Sequence, residues 1–260
     1  MLKTRVIPTM LWKDLTLVKG VGFDSWRRVA TILPTLKVYN TRQVDELAIM
    51  DITATDDERE PDYDEIAEFA QECFVPLTFG GGVRNIETIQ KLLQVGADKV
   101  SINSAAYANP DLITQASNIY GVQCIIVSID VKQHDDGSYE CYSNSGKTPT
   151  GHHPVEWAKE MAKRGAGELL VTSIDRDGTM DGYDVNLIQS IANAVNIPVI
   201  ASGGAGNYDH MHDVLTNGNA SAVAAASIFH FTEQTPMEAK MFLAEKGLAV
   251  RNYHIFNKDT

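Results

Sequence analysis

The chain has 260 residues, 44% of them hydrophobic, with a formal net charge of −12 and a pI of about 5.0. That length and composition suit one sizeable domain over residues 1–260, and so acidic a balance excludes the basic field that attracts nucleic acid or anionic lipid. Any anionic ligand has to be held by local devices instead of long-range steering.

In chain order, short β-rich runs fall at 5–11, 46–51, 76–79, 99–103, 124–130, 168–173, 198–202 and 221–226. Amphipathic stretches alternate with them at 62–73, 86–95, 110–119, 154–163, 185–194 and 208–215, several opened by Asn, Asp or Pro as helix starts often are. Near-continuous apolar strands interleaved with helices indicate a parallel sheet covered by helices. Eight such units predict an α/β fold closed into a (β/α)8 TIM barrel, with an open doubly wound sheet as the competitor.

No run approaches the roughly 18 apolar residues of a membrane span. The opening MLKTRVIPTML lacks an apolar core and a cleavage site, and Cys73, Cys124 and Cys141 show no paired spacing. A reducing cytoplasm is the expected compartment.

The chain repeats itself. PLTFGGG at 76–82 aligns with PVIASGG at 198–204, an offset of 122 residues, and the same offset carries ELAIMD at 46–51 onto ELLVTS at 168–173. Self-similarity at this period predicts two half-barrels of four βα units each, and so two related ligand grips on opposite sides of one mouth.

The glycines fit that expectation. Gly80, Gly81 and Gly82 follow the third strand, and Gly203, Gly204 and Gly206 follow the seventh, each just ahead of a helix. Backbone without Cβ atoms approaches a ligand closely, and its N–H groups with a helix N-terminus make an anion site that needs no basic side chain. Small polar residues follow one strand later, Asn103 with Ser104 and Ala226 with Ser227. The alternative is that the glycines only make tight turns. The favoured ligand carries two phosphates, or one phosphate and a second anionic end.

Asp130 ends the apolar fifth strand, where barrels place catalytic groups, and is expected to act as a general acid or base, with a structural carboxylate as the alternative. Asp51, Thr172, Ser173, Asp177 and Ser202 also end strands or begin loops. The polar run 175–179 reads as a capping loop in which Asp177 and Gly178 would suit phosphate contacts. At the other ends of the strands lie Arg5, Glu46, Lys99 and Glu168. They could ring the barrel floor, but ordinary surface pairing is the simpler reading of the residues alone. His152 and His153 are adjacent in a loop, and His210 and His212 are two apart on a helix, so neither pair has metal-ligand spacing. No metal or cofactor is expected. Of the tryptophans, Trp12 and Trp26 are expected to see ligand.

The segments DITA at 51–54, GGG at 80–82, GADKVSIN at 96–103, RGAGE at 164–168, TSIDRDGT at 172–179 and ASGGAG at 201–206 resemble the signature segments of the HisF family, the cyclase subunits of imidazole glycerol phosphate synthase. The resemblance implies a HisH-like glutaminase docked on the floor, and ammonia passing through the barrel to a ribulosyl substrate with a phosphate at each end. It implies an ammonia gate of Arg5, Glu46, Lys99 and Glu168, and a partner interface at Asp98. It also implies a substrate site drawn from Lys19, Gly81, Gly82, Asn103, Ser104, Thr172, Asp177, Gly178, Ser202, Gly203, Gly204, Ala226 and Ser227, with Asp130 as one catalytic aspartate.

One position departs from the family. Its other catalytic aspartate ends the first strand, where this chain has Leu11. Loss of one acid/base partner removes about 10²–10⁴-fold in rate, and Asp14 is the nearest substitute. The first loop, GFDSWRRVATI at 22–32, also lacks the family's Gly-Asp-Pro element. MLKTRVIP at 1–8, an apolar residue at 11 and REP at 59–61 resemble the glycosyl amidation-associated HisF-like branch (WbuZ). That branch implies a further partner, a sugar amidotransferase, and acetamidino sugars of surface polysaccharide as products. The expectation is an ammonia-receiving barrel diverged toward glycosyl amidation. The alternatives are a genuine cyclase, a noncatalytic conduit that activates the glutaminase, and, more weakly, a HisA-like isomerase.

Overall fold

The computed structural model describes residues 3–251. β1 (Arg5–Lys13) runs into a hairpin of β2 (Thr16–Val21) and β3 (Asp24–Ala30), followed by α1 (Ile32–Thr41). Then come β4 (Leu47–Asp51), α2 (Tyr63–Gln71), β5 (Leu77–Gly80), α3 (Ile86–Gln94), β6 (Lys99–Ile102), α4 (Ser104–Ala108) and α5 (Asp111–Tyr120). The second half begins with β7 (Ile125–Gln133), whose own hairpin is β8 (Tyr139–Ser143) with β9 (Thr148–Pro149). It continues through α6 (Pro154–Arg164), β10 (Glu168–Ser173), α7 (Val185–Ala192), β11 (Val199–Ser202), α8 (Tyr208–Thr216), β12 (Ala222–Ala225), α9 (Ser227–Phe231) and α10 (Pro236–Glu245).

Parallel pairing runs β1-β4-β5-β6-β7-β10-β11-β12 and closes where Ile7 of β1 meets Ala224 of β12. This is the (β/α)8 barrel that the alternating pattern predicts. Its strands are apolar on both faces because both faces are buried. Val6, Met10, Leu47, Ile49 and Val100 point outward under the helices, while Ile7, Ala48, Ile126, Leu170, Ile200 and Ala222 pack inside the barrel.

The repeat is written into the helix starts. Asp62 caps α2 with φ −79° and ψ 91°, and Asp184 caps α7 with φ −78° and ψ 86°. Asn85 caps α3 and Asn207 caps α8, both with extended backbones and side chains that accept an N–H three residues on. Each such cap is worth about 1 kcal/mol. The exits to the short helices match as well: Asn103 has φ −116° and ψ −87°, and Ala226 has φ −127° and ψ −66°.

Two hairpins depart from the sequence pattern. Residues 22–32, expected as an open loop, complete a β-hairpin and enter α1, and 139–149 form its counterpart in the second half. The closing helix α10 is tied to the floor by Lys240, whose Nζ lies 2.7 Å from Asp45 Oδ1 with both side chains almost fully buried. Asp45 Oδ2 in turn accepts the Val6 N–H at 3.1 Å. Among the described residues no helix is long and apolar enough to cross a membrane.

Candidate active site at the mouth of the barrel

At the N-terminal ends of the strands the structure brings Arg5, Glu46, Lys99 and Glu168 together. Arg5 Nη1 lies 2.9 Å from Glu46 Oε2 and 3.0 Å from Glu168 Oε1. Lys99 Nζ lies 3.0 Å from Glu46 Oε2 and 3.1 Å from Glu168 Oε1. Each cation therefore bridges both carboxylates, and Thr78 Oγ1 donates to Glu46 Oε1 at 3.0 Å. Ordinary surface pairing does not describe these contacts, since Glu46 is only 4% exposed in its side chain. Asp98, exposed at the start of β6, accepts the Leu77 N–H at 2.8 Å.

Above this ring the barrel interior is apolar, packed with Ile7, Ala48, Ile126 and Leu170, and a cavity of about 780 Å³ opens at the C-terminal ends of the strands. Lys19, Gly81, Gly82, Asn103, Ser104 and Asp130 line it, as do Thr172, Asp177, Gly178, Ser202, Gly203, Gly204, Ala226 and Ser227. The two glycine clusters thus face one shared hollow. Both are demanded by packing: a Cβ on Gly81 would lie 2.1 Å from the Asp51 carbonyl oxygen, and one on Gly204 would lie 2.1 Å from that of Gly182. Steric need accounts for those glycines with no ligand invoked. It does not account for Ser227 Oγ, which is buried at the rim with no partner among the described residues.

Asp130 projects inward from β7 beside Thr172 of β10. Asn103 Nδ2 donates to Asp130 Oδ2 at 2.9 Å and to the Ser128 carbonyl at 3.2 Å. The Asn103 side chain is therefore occupied with orienting the carboxyl. Burial, followed by repulsion from Asp177, pushes the Asp130 carboxyl up to about 7, against smaller opposing hydrogen bonds from Thr172 and Ser128. A carboxyl so placed can both donate and accept a proton near neutrality.

Asp177 is held by Lys19, whose Nζ sits 2.9 Å from Asp177 Oδ1 and is almost wholly buried. Gly22 N–H donates to the Asp177 carbonyl at 2.9 Å. The loop expected as a capping element is thus the seat on which the β2–β3 hairpin rests.

Leu11 faces the cavity next to Met50. Asp14 does not replace the missing carboxylate, because it lies exposed in the β1–β2 turn at φ +47° and is not part of the cavity wall. Trp12 also departs from expectation. It alternates away from the lumen and packs edge-on against Phe69 and Phe79 at 5.3 and 6.1 Å, whereas Trp26 does line the cavity. Ser173 is buried away from the hollow. Asp51 reaches its edge, but Oδ1 accepts the N–H groups of Thr53 and Ala54 at 3.1 Å and Arg59 Nη2 at 2.7 Å, so the carboxylate organises its own loop.

The sequence model of a family described as histidine biosynthesis protein matches residues 5–235. The chain belongs to the histidine biosynthesis protein family. That family holds isomerases and cyclases built on one barrel, and its match runs from the floor ring to the loop before α10.

Several cavity residues of this family member were not singled out in the sequence. Arg84 lines the wall just past Gly82 and donates to the Glu58 carbonyl at 2.9 Å. Tyr107, Asn144, Ser145 and His152 line it too. A cation two residues after the glycines was a readable signal for Arg84. His152 gave none, because Tyr107, the ring it joins on the cavity wall, is remote in sequence.

Proposed function

We propose that this barrel is the acceptor-binding subunit of a glutamine amidotransferase. A HisH-like glutaminase docks on its floor, ammonia passes through the lumen, and a phosphorylated acceptor waits at the mouth. The observation that carries this reading is the ring of Arg5, Glu46, Lys99 and Glu168, closed across the foot of a lumen whose other end holds Asp130. Water-sized ammonia needs only one ring contact to part. The apolar lining of Ile7, Ala48, Ile126 and Leu170 offers it no proton on the way, so it arrives as the nucleophile. At the mouth, the cavity-lining backbone of the glycine turns and the free hydroxyl of Ser227 suit phosphate oxygens. Asp130, poised near 7, exchanges the proton that amine addition releases.

Leu11 separates this reading from histidine synthesis, because one carboxyl stands where cyclisation by the usual route uses two. We infer that the complex serves glycosyl amidation. Purified with its glutaminase, the protein is expected to leave the histidine-pathway ribulosyl substrate uncyclised. Turnover within about tenfold of an ordinary cyclase would overturn the divergence.

One observation favours a second reading, a working cyclase in histidine biosynthesis: the family match covers the barrel and Asp130 keeps a carboxyl tuned for proton transfer. Under it, Asp130→Asn abolishes imidazole glycerol phosphate formation in an enzyme that otherwise makes it.

A further inference from the structure

The internal repeat predicts two equivalent gaps at the rim, each between the short helix of one half and the hairpin of the other. One gap is shut: the Arg27 guanidinium of β3 lies 3.9 Å over the Phe231 ring of α9, and neither residue lines the cavity. The other gap is open. The cavity runs outward between α4 and β9 into a side chamber walled by Tyr107, Ala108, Thr148, Pro149, Thr150 and His152.

The wall of that chamber is aromatic. Tyr107 stacks on Trp157 with centroids 4.4 Å apart and 14° between planes, and exposed His152 lies 4.6 Å from the same indole. Trp157, buried in α6, anchors both rings. The rest of the wall is neutral and polar. Thr148 Oγ1 accepts from Asn144 Nδ2 at 3.1 Å and keeps its own proton to donate. Thr150 Oγ1 donates to the Cys141 carbonyl at 2.8 Å, accepts the His152 N–H at 3.3 Å and keeps one lone pair to accept. Asn109, also on the wall, has a side-chain amide with no hydrogen bond to another described residue. No Asp, Glu, Lys or Arg lines this chamber.

Aromatic faces ringed by hydroxyl and amide groups without charge match a hydroxylated ring, whose C–H face packs on the aromatics while its hydroxyls meet the threonines. The spacing fits a ring attached to a phosphate. Tyr107 is three residues along α4 from Ser104, about 4.5 Å of helix rise, which is the separation of a sugar ring from its own phosphorus.

We propose that this side chamber is a sugar subsite, taking the neutral hexopyranose of a sugar phosphate whose phosphate sits at Gly81, Gly82, Asn103 and Ser104. It deepens the proposed function and rests on reading that end of the mouth as a phosphate site. The test is titration calorimetry on the full chain with inorganic phosphate, α-glucose 1-phosphate and AMP, in the wild type, His152→Ala and His152→Phe. Glucose 1-phosphate binds about three- to tenfold tighter than inorganic phosphate, the range one ring contact is worth. The alanine variant loses that advantage, the phenylalanine variant keeps it, and inorganic phosphate binds all three alike.

Equal affinities with phosphate binding intact overturn the subsite and leave the phosphate site standing, as does an advantage that His152→Ala does not touch. AMP binding tighter than glucose 1-phosphate overturns the assignment to a sugar. Failure of inorganic phosphate to bind removes the phosphate site, and with it the subsite that depends on it.

Discussion

Leu11 and Asp130 hold the same place in the two halves of the barrel. Leu11 pairs with Met50 across to β4, Asp130 pairs with Thr172 across to β10, and each strand then turns out into an antiparallel hairpin. The fold holds the two positions equivalent, yet only one of them carries a carboxyl.

Restoring that carboxyl is the most direct experiment. The Leu11→Asp side chain would project into the cavity and not into the packed layer under the helices, so the barrel should tolerate it. Under the proposed function, and with a HisH-like glutaminase supplied, cyclisation of the ribulosyl substrate is expected to rise by about 10²-fold or more, the worth of an acid/base partner. Steady-state product formation measures it, and an unchanged rate would show that more than Leu11 separates the protein from a cyclase.

The pH dependence of stability should carry the mark of Asp130. Its folded carboxyl titrates at about 7, well above the roughly 3.9 of an unfolded aspartate. Between those values the folded state holds a proton that the unfolded state has lost. The resulting stabilisation is complete below about pH 4 and disappears as pH rises through about 7. Urea midpoints from pH 4 to 8 should fall more steeply in the wild type than in Asp130→Asn.

At the floor, Lys99→Met takes away one of the two cations that bridge Glu46 and Glu168. Arg5 still reaches both carboxylates and the ring retains some solvent contact, so the loss should be about 2 kcal/mol, below the 3–5 kcal/mol of a fully buried pair. Denaturant titration reads that figure. Under the proposed function, turnover fed by glutamine should fall relative to turnover fed by ammonium salt, because an opened floor would let ammonia escape.

The pair Lys240 and Asp45 is more deeply buried. Lys240→Met should cost about 3–5 kcal/mol by leaving a lone carboxylate inside, while Lys240→Met with Asp45→Asn should recover much of it. The substituted amide retains an oxygen for the Val6 N–H that Asp45 now accepts. A double variant no more stable than the single one would refute this account.

Tryptophan emission offers a ligand probe. Trp26 lines the cavity and Trp12 does not. A phosphate-induced change in fluorescence should vanish in Trp26→Phe and survive in Trp12→Phe.

The barrel strands were legible because burial on both faces leaves them almost purely apolar between polar loops. β10 matches its expected span to the residue, and the others agree to within three at either end. The hairpins were not legible: β3 carries Asp24, Arg27 and Arg28 with no buried face, so it shows no period of two. α4 and α9 each last five residues, too few for a helical period to emerge. α10 hid for another reason, since its buried face includes Lys240. At the site, strand ends and glycines pointed to the mouth. The side chamber was invisible because the Tyr107 ring of α4 meets His152 and Trp157, which lie together at the start of α6, only through the fold.

The ammonium of Lys19 is already spent on Asp177, and Asp177 is the charge that, after burial, most raises the proton affinity of Asp130. A guest anion that draws Lys19 toward itself strips Asp177 of its counterion, and Asp130 then grips its hydrogen more firmly. Arrival of such a guest would in this way reach the far strand as a tighter hold on the Asp130 proton, with no backbone displacement required.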